Sequence, residues 1–469
     1  MPWSPRASSR SATSSSTSAT RSPRSPRRRL RRSSNSGAGS KGPARNRPSK
    51  DQNVSSHSTL TGTTGREDPA PAAQYRSGRR ALAFVGMSWV SIAFVAASAA
   101  PSPLYVLYQA EWHFSSWLLT LAFSVYAFTL LIALLFAGSL SDYLGRRPVL
   151  LGAITLELIA LAGLLWAGDV EWVILARALQ GFATGVATAS VSAALTDLSP
   201  PSNRQLGATV ASVTPLAGLT VGALTAGIVI QATQTPIRNV FAGLIVALVV
   251  GGAFVLVSPE TVGYSRGAAA SIVPRLAIPR ASRPAFIASS FLNVAVWLTT
   301  SFVLGLLPQI DRTAFGVSSG LANGGIVALL TASGATAVVV SRNLAPRRSA
   351  LVAATALASG AVIDAIAIFS GHLGLFIAGS VVAGAGVGVG FGGYIRLVMQ
   401  TADARHRSGL FSAMYVVSYL TFGLPVIVAG LLASTFTTPA VAIAYCALTV
   451  VFSALGLVSI NRYSQRRRA

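Results

Sequence analysis

Gly138-Ser139-Leu140-Ser141-Asp142-Tyr143-Leu144-Gly145-Arg146-Arg147 lies between two apolar runs, at about residues 117–137 and 149–167. Each run is close to the roughly 20 residues that a helix needs to cross a hydrocarbon core of about 30 Å. Between them an acid and two arginines share a tight connection with a glycine at Gly138 and another at Gly145. The glycines permit close helix approach, and Asp142 can accept charge-assisted hydrogen bonds from a neighbouring helix end or arginine. Arginines that served only as topology anchors would not need this Gly/Asp spacing.

Outward from this turn the same pattern recurs. Apolar runs fall at about 82–108, 117–137, 149–167, 171–195, 207–231, 239–257, 285–307, 321–341, 349–370, 374–398, 409–432 and 438–459. Period-2 alternation is absent, so helices rather than a barrel should satisfy the backbone. Over the whole chain 52% of residues are hydrophobic and 11% charged, against about a quarter charged in a soluble protein. With the N-terminus placed inside, the inner connections hold Arg146/Arg147, Arg204, Arg266/Arg275/Arg280/Arg283, Arg342/Arg347/Arg348 and Arg405/Arg407. The outer ones hold Arg238 and Arg312 beside Glu111, Asp169, Glu171 and Asp311. That asymmetry obeys the positive-inside rule, and an odd number of spans would scramble it. The expected fold is all-α, with twelve transmembrane helices, both termini in the cytoplasm and the protein in the cell membrane.

The formal charge of +24 is unevenly distributed. Residues 1–80 carry 17 basic and three acidic side chains, a net +14, and the remaining 20 basic and ten acidic residues give +10. The leading segment is rich in Ser, Arg, Pro and Thr and is expected to be disordered. It lacks the apolar core of a secretory leader. Attraction of its arginines to anionic lipid headgroups is its functional reading. Nucleic-acid binding is not expected, because no aromatic residues interleave with the arginines. A lone cysteine, Cys446, excludes a disulfide framework, and the scattered His57, His113, His372 and His406 suggest no metal site.

The chain also repeats itself. Gly181, Gly185, Arg204 and Gly227 correspond to Gly384, Gly388, Arg407 and Gly430 at an offset of 203, and Arg146-Arg147 to Arg347-Arg348 at 201. The expected organisation is a tail (1–80), a six-helix bundle (81–258), a basic linker (259–284) and a second bundle ending in a basic tail (285–469). Paired repeats with a site between them suit alternating access.

Residues within spans need a reason to be charged, since a charge at helix centre costs about 2.5–3.5 kcal/mol on insertion scales. Glu157, Arg177 and Asp364 are the candidates. Counted outward from the turn near residue 169, Glu157 and Arg177 lie within about one helical turn in depth. They are expected to pair or share a proton, or to form a structural ion pair between two scaffold helices. Asp364 has no cation near it in sequence, which makes it a candidate proton carrier. Arg396, near the inner end of span ten, reads as a gate or headgroup anchor.

The turn resembles the hallmark of the major facilitator superfamily, Gly-x-x-x-Asp-x-x-Gly-Arg-Arg, matched by Gly138, Asp142, Gly145, Arg146 and Arg147. The position after the acid is commonly basic in that family and is Tyr143 here. A second family pattern is met in span four by Arg177, Gln180, Gly181 and Gly185, and degenerate copies stand at Pro346-Arg347-Arg348 and Gly409-Leu410-Phe411. The resemblance covers residues 81–465 and implies two pseudo-symmetric six-helix bundles working as a rocker switch. It implies that the Asp142 turn locks a cytoplasmic gate and that Arg177 takes part in proton or substrate coupling. The family's antiporter motif, a Gly-Pro pair with spaced glycines, is approached by Thr214-Pro215, Gly218 and Gly222 without the leading glycine. The family lines its cavity mainly with spans one, four, seven and ten. Candidate lining residues are therefore Tyr105, Tyr108, Gln180, Asn293, Trp297, Tyr394 and Arg396. Pro101 and Pro103 are expected to loosen the outer half of span one.

Several motifs fail in context. Gly388-Val389-Gly390-Phe391-Gly392-Gly393 fits a dinucleotide pattern but sits inside a span with no preceding strand. Gly316-Val317-Ser318-Ser319-Gly320 resembles a nucleophile elbow by letters alone. No phosphate-binding Gly-x-x-x-x-Gly-Lys-Ser/Thr occurs, so energy is expected from an ion gradient or the solute itself, with no cofactor. The leading expectation is a proton-coupled exporter of small amphiphilic molecules. An importer of a sugar or organic acid is the first alternative, and a membrane enzyme or sensor the second.

Overall fold

Hydrocarbon offers no hydrogen-bond partner to a bare backbone, so each apolar run must satisfy its own N–H and C=O groups by coiling. The computed structural model describes residues 71–267, 276–401, 403 and 407–466. The readings made for residues 1–70, including the disordered tail and its lipid contact, lie outside the described residues. So do Arg275, Arg405, His406 and the basic residues after Arg466.

Among the described residues there are helices and no strand, and twelve helices are long and apolar enough to span a membrane. Span one is Pro71–Ala99 continued by Pro101–Trp112. Spans two to six are Ser116–Ala137, Arg146–Leu165, Val170–Asp197, Gln205–Ala232 and Pro236–Val257. Spans seven to twelve are Arg283–Ala314, Gly320–Val340, Pro346–Ser370, Leu373–Met399, Arg407–Leu432 and Thr438–Arg466.

Two differences from the sequence reading concern helix length. Span one starts at Pro71, well upstream of 82, and is interrupted at Ala100, where Pro101 and Pro103 supply no backbone N–H to the preceding turn. Span seven runs through Pro308 to Ala314, so Asp311 and Arg312 belong to a helix and not to an outer loop. Asp311 is buried there and accepts a hydrogen bond from Asn323 Nδ2 of span eight at 3.1 Å.

The internal repeat is a packing repeat. A side chain on Gly181 or Gly185 of span four would collide with the carbonyl oxygens of Tyr126 and Leu130 in span two. One on Gly384 or Gly388 of span ten would collide with those of Leu330 and Gly334 in span eight. The glycines correspond at 203 and the carbonyls they touch at 204, so each half brings the same two helices into backbone contact. Small residues at such crossings are what membrane helices use in place of a hydrophobic driving force. Gly218 and Gly222 pack span five on Val95 and Ala96 of span one in the same way.

The halves meet away from the arginine-bearing ends. Ser102 Oγ donates to Leu304 O at 2.5 Å, joining spans one and seven. Ser124 Oγ donates to Gly423 O at 2.9 Å, joining spans two and eleven, and the Thr220 and Thr331 hydroxyls pair at 2.8 Å between spans five and eight. On the opposite, arginine-rich face, hydrogen bonds tie helices within each half. Arg80 Nη2 donates to Asp197 O at 2.7 Å, and Arg347 Nη2 to Asn461 Oδ1 at 2.9 Å.

Gly384→Val forces either span eight or span ten outward. Overpacking of this kind costs about 1–3 kcal/mol. The expected result is a lower melting temperature of the purified protein in detergent, measured by intrinsic fluorescence; an unchanged melting curve contradicts the backbone-contact packing.

Candidate functional site

Three elements place a cation deep in the first half. Glu157 of span three, Arg177 and Gln180 of span four are all buried, with Glu157 and Gln180 fully enclosed. Arg177 and Gln180 are three apart on one helix and share a face. Arg177 Nη1 donates a short hydrogen bond to Gln180 Oε1 and another to Ser98 O of span one at 3.3 Å. Gln180 Nε2 then donates to Glu157 Oε1 at 2.9 Å and to Ala97 O at 3.0 Å. The amide orientation follows from chemistry. A guanidinium only donates, so it faces the amide oxygen, and the carboxylate takes the amide NH₂.

Glu157 and Arg177 do come together, but they form no direct ion pair: Gln180 stands between them. Thr184 Oγ1 lies 2.9 Å from Gln180 O and 3.5 Å from Glu157 Oε2. The guanidinium carbon sits 4.2 Å from the centre of the Tyr126 ring, a cation–π contact that further offsets its burial.

Arg177 lies on the wall of a cavity of 710 Å³ between the two halves. The cavity runs from Ser102 and Tyr105 at its deep end to Gln205, Arg342, Asn343 and Arg396 at the arginine-rich face, where it opens. Such a volume suits a small-molecule ligand. Tyr105, Trp297, Arg396 and Pro215 stand on its wall.

Four other candidates do not line it. Gln180 is enclosed behind Arg177. Tyr108 turns to span three, its hydroxyl donating to Leu164 O at 3.0 Å. Asn293 faces span eleven, with Nδ2 donating to Ser418 Oγ at 2.9 Å. Tyr394 packs among Phe286, Leu410 and Met414. Asn293 and Trp297 do share a helix face, but only the latter is long enough and deep enough to reach the open space. Spans two, five, eight and eleven add Phe123, Tyr126, Leu216, Val338, Tyr415 and Tyr419, which the restriction to four spans left out.

Asp364 is buried on span nine, away from the cavity. Its Oδ1 has no hydrogen-bond partner and lies against Gly379 of span ten. Arg396 donates from Nη1 to Arg342 O at 2.8 Å and from Nη2 to Ser349 Oγ at 3.0 Å, which ties the mouth of the second half together.

The Gly138–Arg147 turn is held by Asp142 and by two acids distant in sequence, Asp197 and Glu260. Asp142 Oδ1 pairs with Arg146 Nη1 at 2.6 Å, and Arg146 Nε reaches Asp197 Oδ2 at 3.4 Å. The chain after span six then folds back. Glu260 accepts from the backbone N–H of Arg146 at 2.8 Å and of Arg147 at 2.9 Å, capping span three where its dipole favours an anion. Arg147 Nη2 donates to Leu256 O at 2.6 Å, and Ser265 N to Tyr143 O at 2.8 Å. Gly145 has φ +93°, and a side chain there would meet Glu260 Oε2 at 2.8 Å, so both conformation and space require glycine. The latch thus joins the ends of spans three, four and six to the start of the linker.

Partial burial alone would push the Glu260 carboxyl up, but the backbone N–H groups of Arg147, Arg146, Val262 and Thr261 hold it below the usual carboxylate range. A carboxyl lowered by folding adds stability above its unfolded value, about 4.3, and loses it as pH falls through the folded value. The latch therefore holds at neutral pH and opens only in strong acid. Glu260→Gln should lower the melting temperature at pH 7 by a few degrees and flatten its fall below about pH 4. Coincident wild-type and variant profiles from pH 3 to 7 would remove Glu260 from the latch.

Helices long and apolar enough to cross a lipid bilayer twelve times, in two like halves around a central cavity, define a polytopic membrane carrier for small molecules. The profile of the Major Facilitator Superfamily matches residues 87–368, more than half of the chain, and the chain belongs to that family. It is a transporter and not an enzyme. Its fold is similar to that of the xylose transporter XylE from E. coli in a partially occluded inward-open conformation. The TM-score is 0.63 at 12% identity, over 80% of this chain and 97% of that one. No curated protein sequence matches the chain.

Proposed function

We propose that this protein is a proton-coupled secondary transporter that exports small amphiphilic molecules across the cell membrane by alternating access. The observation that carries the reading is the cavity itself: a mostly apolar space between the halves, with the Arg177–Gln180–Glu157 chain built into its wall. Arginine placement supports a cytoplasmic side for both termini and the Gly138–Arg147 turn. The cavity is then open inward, and the Ser102–Leu304 and Ser124–Gly423 contacts close it on the outside. The Asp142 turn, tied to Arg146 and through it to Asp197, would engage the second half when the cytoplasmic side shuts. The basic residues of 1–80 are proposed to hold the chain's leading segment near anionic headgroups.

Glu157 is the proposed proton carrier. It is enclosed, and one amide links it to the cation facing the solute space, so a proton gained or lost there changes the field at Arg177. Import of an organic acid with a proton is the second reading. The specific observation in its favour is that, among the described residues, no carboxylate lines the cavity.

Proteoliposomes with an imposed proton gradient test both readings. Export by antiport predicts solute movement against the proton flow, and import by symport predicts movement with it. In either case Glu157→Gln should lose gradient-driven accumulation while keeping solute exchange at equal pH. Full gradient-driven transport by the variant would discard the proton role.

A further inference from the structure

The cavity wall carries charge of one sign. Arg177 stands deep in it and Arg342 and Arg396 at its mouth, and among the described residues its lining includes no aspartate or glutamate. Glu157, the nearest enclosed acid of this network, is engaged behind the wall by Gln180. The deep end also presents a donor without an acceptor. Trp297 Nε1 is buried with no hydrogen-bond partner among the described residues, and the Tyr105 hydroxyl is what stands next to the Arg177 guanidinium. An indole N–H can only donate, so what completes it is an acceptor.

Across from the cation the second half supplies a ring cluster. The Trp297 ring centre lies 5.0 Å from that of Tyr419, 5.4 Å from Phe422 and 5.7 Å from Phe391. Phe123 of the first half joins it, 4.9 Å from Phe422. Edge-to-face and tilted pairs at these separations favour another flat ring over an aliphatic chain.

From these features we infer that the cavity selects small organic anions with a flat aromatic body, the anionic group received by Arg177 and the ring by the Trp297 cluster. The inference rests on the reading of this cavity as the solute path and adds the charge and shape of the solute. A carboxylate is acceptor-only and matches both the unmet donor and the charge. A cationic solute of the same shape would face Arg177 at low dielectric with no acid on the wall to compensate it, which excludes it by repulsion. The two arginines at the mouth raise the local concentration of anions and should speed their entry.

The test is equilibrium binding to the purified full chain in lipid nanodiscs at neutral pH with three probes of one shape. These are 1-naphthoate, 1-naphthalenemethanol and 1-naphthylmethylammonium. The expected order is naphthoate at least tenfold tighter than the alcohol, and the ammonium weakest. Arg177→Gln should erase the naphthoate advantage, and Arg177→Lys should keep part of it. Should the buried variants fail to fold, the wild-type series still decides, and Arg396→Gln should slow naphthoate association. Equal affinities, a preference for the ammonium, or no naphthoate binding would overturn the inference. The transport reading fails separately: naphthoate bound with this preference but never carried into vesicles would sink that reading and leave the selectivity standing. Vigorous transport of neutral or cationic solutes with no charge preference in binding would do the reverse.

Discussion

A guanidinium held at mid-depth in a bundle of lipid-crossing helices is the constraint around which the rest is arranged. On insertion scales the charge costs about 2.5–3.5 kcal/mol, and it persists only where donors find acceptors and the charge finds an opposing field. Arg177 meets these demands with a backbone carbonyl from span one, the amide oxygen of Gln180 and the face of Tyr126. Three helices must therefore converge at one depth, and the glycines Gly181 and Gly185 let span four press onto span two closely enough for that. Site and scaffold are one construction: loosening the crossing would strip the cation of its surroundings.

The two halves share the scaffold but not the chemistry. At the offset of 203, Arg177 and Gln180 correspond to Ser380 and Ala383, while Gly181 and Gly185 keep their glycines at Gly384 and Gly388. The repeat thus retains the residues that set helix approach and has diverged where charge is needed. In its place the second half brings Trp297, Phe391, Tyr419 and Phe422 to the same space. One half contributes a cation with an enclosed carboxyl behind it, the other an aromatic wall. A solute seated between them touches both, so its binding can bias how the halves sit, which is what coupling binding to a conformational change requires.

The architecture was legible because its causes are local and periodic. Run length gives a membrane helix, arginine placement orders the connections, and the spaced glycines betray the repeat. Glu157 and Arg177 could be placed near one another by counting residues from a short turn. What counting could not show is that Gln180 lies between them, because side-chain reach and rotamer decide that. Glu260 and Asp197 escaped notice for a different reason. They are distant in sequence from the turn they secure: the end of span four brings Asp197 to Arg146, and the return of the chain after span six brings Glu260 to the start of span three. Tyr108, Asn293 and Tyr394 were assigned to the cavity from the span they occupy. Rotation of each helix turns their polar atoms toward neighbouring spans. The extra length of span seven was hidden by Pro308, which ends many helices but is accommodated here.

The central claim is that the halves close on one face while they open on the other, around a single solute cavity. Ser319 Oγ lies 3.4 Å from Gln231 Oε1, across spans five and eight on the face that is shut. Cys446 is buried and the one cysteine of the chain, so Cys446→Ala gives a clean background for Gln231→Cys with Ser319→Cys. Oxidation should link the pair and stop solute transport in proteoliposomes, and reduction should restore it, because the shut face must part in every cycle. Undiminished transport by the fully cross-linked protein would contradict the account.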